Sequence, residues 1–156
     1  MTLPSTQEET PVKAIQELLS QADNSVWSTE TPEVYLWEER SQDERGPGQG
    51  MPPELYVSQL TGGPIERISA DGVLFRETPT CEIWVYSLDD TETAQLARDV
   101  ISYMSEFMDN QEANSPFVDM QPSNVEDYRE QKLRKVTQHY IYEVEIEMEK
   151  LTDTGV

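Results

Sequence analysis

The feature that most constrains the fold is a run of strict alternation near the end of the sequence. Residues 136–148 are predicted to form a strand, and apolar or aromatic side chains alternate strictly with glutamates from Tyr142 to Met148. A period of two is typical of a β-strand with one buried face and one solvated face. The buried face would carry Tyr140, Tyr142, Val144, Ile146 and Met148, and the solvated face Ile141, Glu143, Glu145, Glu147 and Glu149. The chain must therefore supply partner strands and an apolar layer that covers this strand.

Shorter strand patterns occur earlier in the sequence. They lie at residues 34–37, 55–60, 65–69, 73–76 and 81–88, where β-branched and aromatic side chains are concentrated. Residues 62–64 and 70–72 are predicted to turn the chain, and Asp71 followed by Gly72 is a hairpin signal. Residues 81–88 carry large side chains at both alternating positions, so we expect this strand at the centre of the sheet.

Two helices are predicted on either side of these strands. Thr10 before Pro11 is an N-cap followed by proline at the first helical position, and apolar residues then recur every three or four positions for about three turns. Asp89 or Asp90 begins a second helix of some 20 residues, about 30 Å long. Glu92, three residues after Asp89, resembles the second half of a capping box.

The order helix, strands, long helix and strand predicts one α+β domain over residues 11–150. We expect an antiparallel or mixed sheet of four to six strands flanked by the two helices. Residues 1–10 are predicted to be a mobile segment and residues 151–156 a C-terminal tail. Residues 41–53 and 110–124 contain several prolines or glycines among polar residues and are predicted to be loops.

The charge balance limits the possible functions. There are 31 acidic and 11 basic side chains, which gives a formal net charge of −20. Such a surface suits concentrated salt, where charge repulsion is screened, and it disfavours broad binding to nucleic acid. An acidic protein of ordinary origin and a DNA mimic remain alternatives. No apolar run is long enough to cross a bilayer and the first eleven residues do not resemble a signal peptide, so we expect neither feature.

The residues that usually carry chemistry are scarce. The single cysteine, Cys81, lies in an apolar strand pattern and is predicted to be a buried, inert thiol. The single histidine, His139, has no serine or cysteine motif beside it and is predicted to be a sheet residue. Glutamates on one strand face stand about 7 Å apart, which is unsuited to calcium. We predict no catalytic residue, no cofactor and no metal site, and hence a protein that is not an enzyme.

A local reversal of charge stands out in this acidic chain. Four of the eleven basic side chains fall within residues 129–135. This segment is either a solvated helix face that balances neighbouring acids or a contact for the acidic surface of another copy or partner. With residues of the long loop, it supplies the candidate interface residues. These are Arg45, Gly48, Met51, Arg129, Lys132, Arg134 and Lys135.

The layout of residues 11–150 resembles the tail terminator proteins of long-tailed viruses. The resemblance is carried by the strand-to-helix passage Glu82-Ile83-Trp84-Val85-Tyr86-Ser87-Leu88-Asp89-Asp90 and by the basic stretch that leads into the alternating last strand. It implies a non-catalytic α+β subunit that forms a hexameric ring, caps the tail tube and meets a head-completion or neck protein. It also implies that DNA passes through the lumen without sequence-specific binding.

With the acidic composition, this resemblance indicates a tailed virus of a halophilic archaeon, whose protein is made in the host cytoplasm and placed at the head-tail junction of the virion. Two other functions stay open. Head-completion or stopper proteins of the neck also form rings. An acidic DNA mimic that inhibits a nucleic-acid enzyme would be a binding module of a different class.

Overall fold

The computed structural model of the chain describes residues 10–61, 65–67, 74–110, 117–127 and 139–153. Within these ranges it contains two α-helices and seven strands, which confirms the predicted α+β class with one strand more than expected. The elements are α1 (Pro11–Ser20), β1 (Glu33–Leu36), β2 (Glu54–Thr61), β3 (Ile65–Arg67), β4 (Leu74–Glu77), β5 (Thr80–Ser87), α2 (Asp90–Asn110), β6 (Phe117–Asp127) and β7 (Tyr140–Asp153).

The strands form one mixed sheet in the order β1-β2-β5-β7-β4-β3, with β6 paired to β7. Only the β1–β2 pair is parallel among the described strands. β4 and β5 pair with β7 in one continuous register, so they are two halves of a long strand interrupted at Thr78 and Pro79.

The turn predicted at residues 62–64 lies outside the described residues. β2 pairs antiparallel with β5 and β3 pairs antiparallel with β4, so β2 and β3 run in the same direction. The turn predicted at residues 70–72 lies outside the described residues.

The prediction that residues 110–124 form a loop is wrong from Phe117 onward, because β6 begins there. A proline removes a backbone donor, which argues against a strand unless the strand is at an edge or contains a bulge. Both conditions hold for Pro122: the described pairing of β6 is with β7 alone, and the register shifts by one residue between Pro122 and Asn124. Residues 111–116 lie outside the described part of the chain.

The two helices cover one face of the sheet and form the main core. Ile15 and Leu18 of α1 and Val100 and Met104 of α2 are fully buried there, together with Ile83 of β5. β5 is buried on both faces, which confirms its predicted central position. Because β5 side chains alternate, Trp84 and the residues two positions before and after it point to the opposite face.

That opposite face carries a second, aromatic cluster. Tyr56, Tyr86 and Ile141 are buried in it, and Trp37 and Trp84 pack against them. The prediction that the face of β7 carrying the glutamates is solvated is therefore wrong for the first residues of the strand. Ile141 is 0% exposed because it lies opposite Tyr86, and Glu143 is 5% exposed because it lies opposite Trp84.

The helix starts are capped as the sequence predicts. The side chain of Thr10 accepts a hydrogen bond from the backbone N–H of Lys13. Asp89 accepts the N–H of Glu92 at 3.1 Å. Glu92 does not return a bond to Asp89 but accepts the hydroxyl of Ser87 at 2.6 Å, so the last residue of β5 is tied to α2.

The predicted tail of residues 151–156 begins too early, because β7 continues to Asp153 and pairs there with β4. No helix in the described ranges is both long and apolar enough to cross a membrane.

Candidate functional site

The long loop that follows β1 is held against the aromatic face by a buried carboxylate. Glu54 is 1% exposed and forms an ion pair with Arg40 at 2.7 Å. Its Oε1 accepts the N–H of Gly46 at 3.1 Å and the hydroxyl of Tyr56. Burial, followed by the bond to Glu54, raises the pKa of Tyr56 well above its ordinary value. The phenol therefore stays neutral and keeps donating to the carboxylate.

Gly46 is required at the point where the loop meets the residue before β7. Its φ is 98°, and a Cβ there would lie 2.5 Å from Cε1 of the His139 ring. Nε2 of His139 lies 2.8 Å from the carbonyl oxygen of Pro47. Close backbone approach and positive φ both require glycine. The loop is therefore held in one position against His139.

Arg45, a predicted interface residue, is engaged within the protomer. Its guanidinium lies 3.6 Å from the centre of the Trp37 ring and donates to the Trp37 carbonyl at 2.9 Å. A cation over an indole face is attracted by the negative ring face. Arg45 therefore stabilises the folded loop in the structure.

Beyond Pro47, an open cleft of about 720 Å³ lies between the loop and the start of α2. Two predicted interface residues, Gly48 and Met51, come together in it. Met51 and Leu88 are 52% and 42% exposed, which is unusual for large apolar side chains in this protein. The cleft is lined by Glu30, Pro47, Gly48, Gln49, Gly50, Met51, Leu88, Asp89, Glu92 and His139.

The cleft is negatively charged. Glu30 and Asp89 are exposed carboxylates, and Glu92 is half-buried beside them. The described lining residues include no lysine or arginine. Two of these acids, Asp89 and Glu92, lie near the start of α2, where the helix dipole attracts negative charge.

The ionisable side chains that line the cleft are three carboxylates and one imidazole. Its described lining contains no serine, threonine, cysteine or lysine. The prediction that His139 is a sheet residue is wrong, because His139 directly precedes β7. Its ring packs on Tyr86 and contacts the long loop at Gly46 and Pro47. Cys81 is fully buried, as predicted, and burial raises the pKa of its thiol to about 12.

A second acidic feature lies on the sheet face outside the aromatic cluster. Glu82 of β5 is directly opposite Glu145 of β7, and Glu126 of β6 is opposite Glu143. Burial, a hydrogen bond to Glu143 and its charge raise the pKa of Glu82 to about 7, and Trp84 partly opposes this by donating to the carboxylate. Among the described residues, no group of three or more potential ligands could hold a metal ion.

The structure leaves the remaining candidates undescribed. Arg129, Lys132, Arg134 and Lys135 lie outside the described residues, in the stretch of chain between the end of β6 and His139.

Sequence reasoning missed Glu30 and Leu88 as parts of the cleft. Leu88 was visible as an apolar residue at the end of a strand pattern, next to a helix cap. Nothing local to Glu30 indicated that it would meet residues 47–51 and α2.

Comparison with protein-family models and with curated proteins gives no match for this chain.

Proposed function

We propose that the protein is a structural virion subunit, a tail terminator that assembles into a homohexameric ring, caps the tail tube and joins it to the head-completion or neck protein. The observation that carries this proposal is the cleft beside α2. Its half-exposed Met51 stands on a loop that is fixed by the ion pair of the buried Glu54 and by a required glycine, and its half-exposed Leu88 lies between β5 and α2. A rigid surface of this kind is suited to contact with another protein.

Rigidity matters because association costs conformational entropy. Ordering one flexible side chain at an interface costs roughly 0.5–1.5 kcal/mol, and ordering a loop costs more. The bonds of Glu54 to Arg40 and Gly46 order the loop within the protomer. Contact with a neighbour can then be formed with little further loss of freedom.

The charge of the molecule fits a subunit that surrounds DNA without holding it. At a net charge of −20, a channel wall made by six copies would repel phosphate, so the genome could pass without sequence-specific contacts. A ring whose channel wall is lined mainly by arginine and lysine would contradict this part of the proposal.

The proposal is tested by adding the purified chain to tail tubes that lack heads and examining the tubes by electron microscopy. We expect one ring at one end of each tube. Met51→Lys should abolish capping because it places a charge on the rim of the cleft, whereas Leu60→Lys, at a residue 49% exposed on β2, should not. Binding only to isolated necks would favour a stopper protein, and binding to neither would reject the virion function.

A second candidate, an acidic DNA mimic, is favoured by one observation. The pairing register gathers carboxylates of three strands on one sheet face. These are Glu82, Asp119, Glu126, Glu143, Glu145, Glu147 and Glu149. A mimic would remain a monomer or dimer and would compete with DNA for a nucleic-acid-binding protein, whereas stable hexamers would reject it.

A further inference from the structure

The cleft between the loop and α2 has the features of a site for a short peptide segment. Met51 and Leu88 give it an apolar rim, and Glu30 and Asp89 give it exposed negative charge. An apolar contact surrounded by complementary charges is the usual anatomy of a specific protein interface. A matching occupant would carry an apolar side chain flanked by cations.

The sequence supplies one segment of this composition. Residues 132–136 read Lys-Leu-Arg-Lys-Val, with three cations around Leu133, in a chain that has only 11 basic side chains. Residues 1–9 do not match, because their only charged side chains are two glutamates.

We infer that the cleft of one protomer binds residues 132–136 of a neighbouring copy, with Leu133 against the apolar rim and the flanking cations beside Glu30 and Asp89. Met51 and Leu88 are half exposed in the protomer, so the cleft is open to a second molecule. A contact in which one copy gives a segment and the next copy gives a cleft is heterologous, and such contacts form a closed ring when the rotation between copies divides a full turn. The inference rests on the proposed function for its ring.

The inference is tested with two complementary variants of the full chain. The cleft variant Glu30→Lys/Met51→Lys makes the cleft repel cations but keeps the segment. The segment variant Lys132→Glu/Arg134→Glu/Lys135→Glu reverses the segment but keeps the cleft. Glu106→Lys/Leu60→Lys is the matched control, since it makes the same charge changes at exposed residues outside the cleft.

Assembly is measured by analytical ultracentrifugation at about 0.15 M and about 1 M KCl, because salt weakens the ionic part of the contact. Circular dichroism verifies that each variant is folded. We expect rings from the wild type and the control, and monomers from each variant alone. An equal mixture of the two variants should give dimers and nothing larger, because one intact segment then meets one intact cleft.

Two outcomes would overturn the inference and leave the proposed function standing: rings formed by the cleft variant, or a mixture of the variants that stays monomeric while the wild type forms rings. A wild type that stays monomeric and does not bind tubes would reject both. Dimers in the mixture can form only if residues 132–136 of one copy bind the cleft of another copy. Dimers would therefore exclude binding of the segment to the cleft of its own chain.

Discussion

The position of the long loop against His139 depends on Gly46. We predict that Gly46→Ala lowers the free energy of unfolding by about 2–3 kcal/mol, because the methyl group adds backbone strain and collides with the His139 ring. Gly50→Ala is the control, since Gly50 also has positive φ but faces open space, and it should cost only about 1 kcal/mol. Urea unfolding measures both values. Equal losses would show that the contact with His139 does not constrain the loop.

Glu82 should make stability depend on pH. Its pKa is about 7 in the folded protein against 4.5 for the ordinary carboxyl, so the folded state holds the proton more tightly than the unfolded chain. The resulting stabilisation is complete below pH 4.5 and is lost as the pH rises through about 7. We predict that Glu82→Gln removes this loss.

The comparison is made by urea unfolding at about pH 5 and about pH 8. Glu147→Gln, at an exposed position on the same sheet face, controls for the change in net charge. If wild type and Glu82→Gln weaken equally between the two pH values, the protonated carboxyl of Glu82 is not a source of stability.

Helix α2 is fixed to the segment before β1 by one buried carboxylate. Asp99 is 6% exposed and accepts the N–H and the hydroxyl of Ser28 at 2.9 and 2.8 Å. We predict that Asp99→Ala lowers the free energy of unfolding by about 2 kcal/mol, since it leaves these donors without their charged acceptor. Asp109→Ala, at an exposed position of the same helix, should change it by less than about 0.5 kcal/mol. Similar values for the two variants would show that Asp99 does not fix the helix.

The sequence was sufficient for elements whose pattern is local. The caps at Thr10 and Asp89 and the alternation along β7 predicted where α1, α2 and β7 lie. The sequence was insufficient where pairing between distant strands determines the secondary structure. β6 accepts Pro122 because it pairs on one side and contains a bulge, and neither fact can be seen in its own residues.

In the candidate site, too, some residues could be assigned from the local sequence and others could not. Gly48 and Met51 were predicted from the composition of their loop, and the structure places them in one cleft. Glu30 reaches that cleft from a distant part of the chain, so a local pattern could not assign it. The burial of Glu143 was missed because it depends on Trp84 of the paired strand.

The net charge of the whole molecule should make its stability depend on salt. Twenty uncompensated negative charges repel one another, and the screening length falls from roughly 8 Å at physiological ionic strength to roughly 3 Å at 1 M. We predict that the melting temperature rises by several degrees when KCl is raised from about 0.15 to about 1 M. Sucrose at equal osmolality, which does not screen charge, should raise it less. An equal effect of both additives would contradict adaptation of this surface to salt.

The central claim, that the chain is a ring-forming structural subunit, is tested most directly by the mass of the purified wild-type protein in solution. Light scattering over a range of concentrations and KCl levels should give a particle of about six times the 17.9 kDa of one chain. A particle of 17.9 kDa under every condition would contradict the claim.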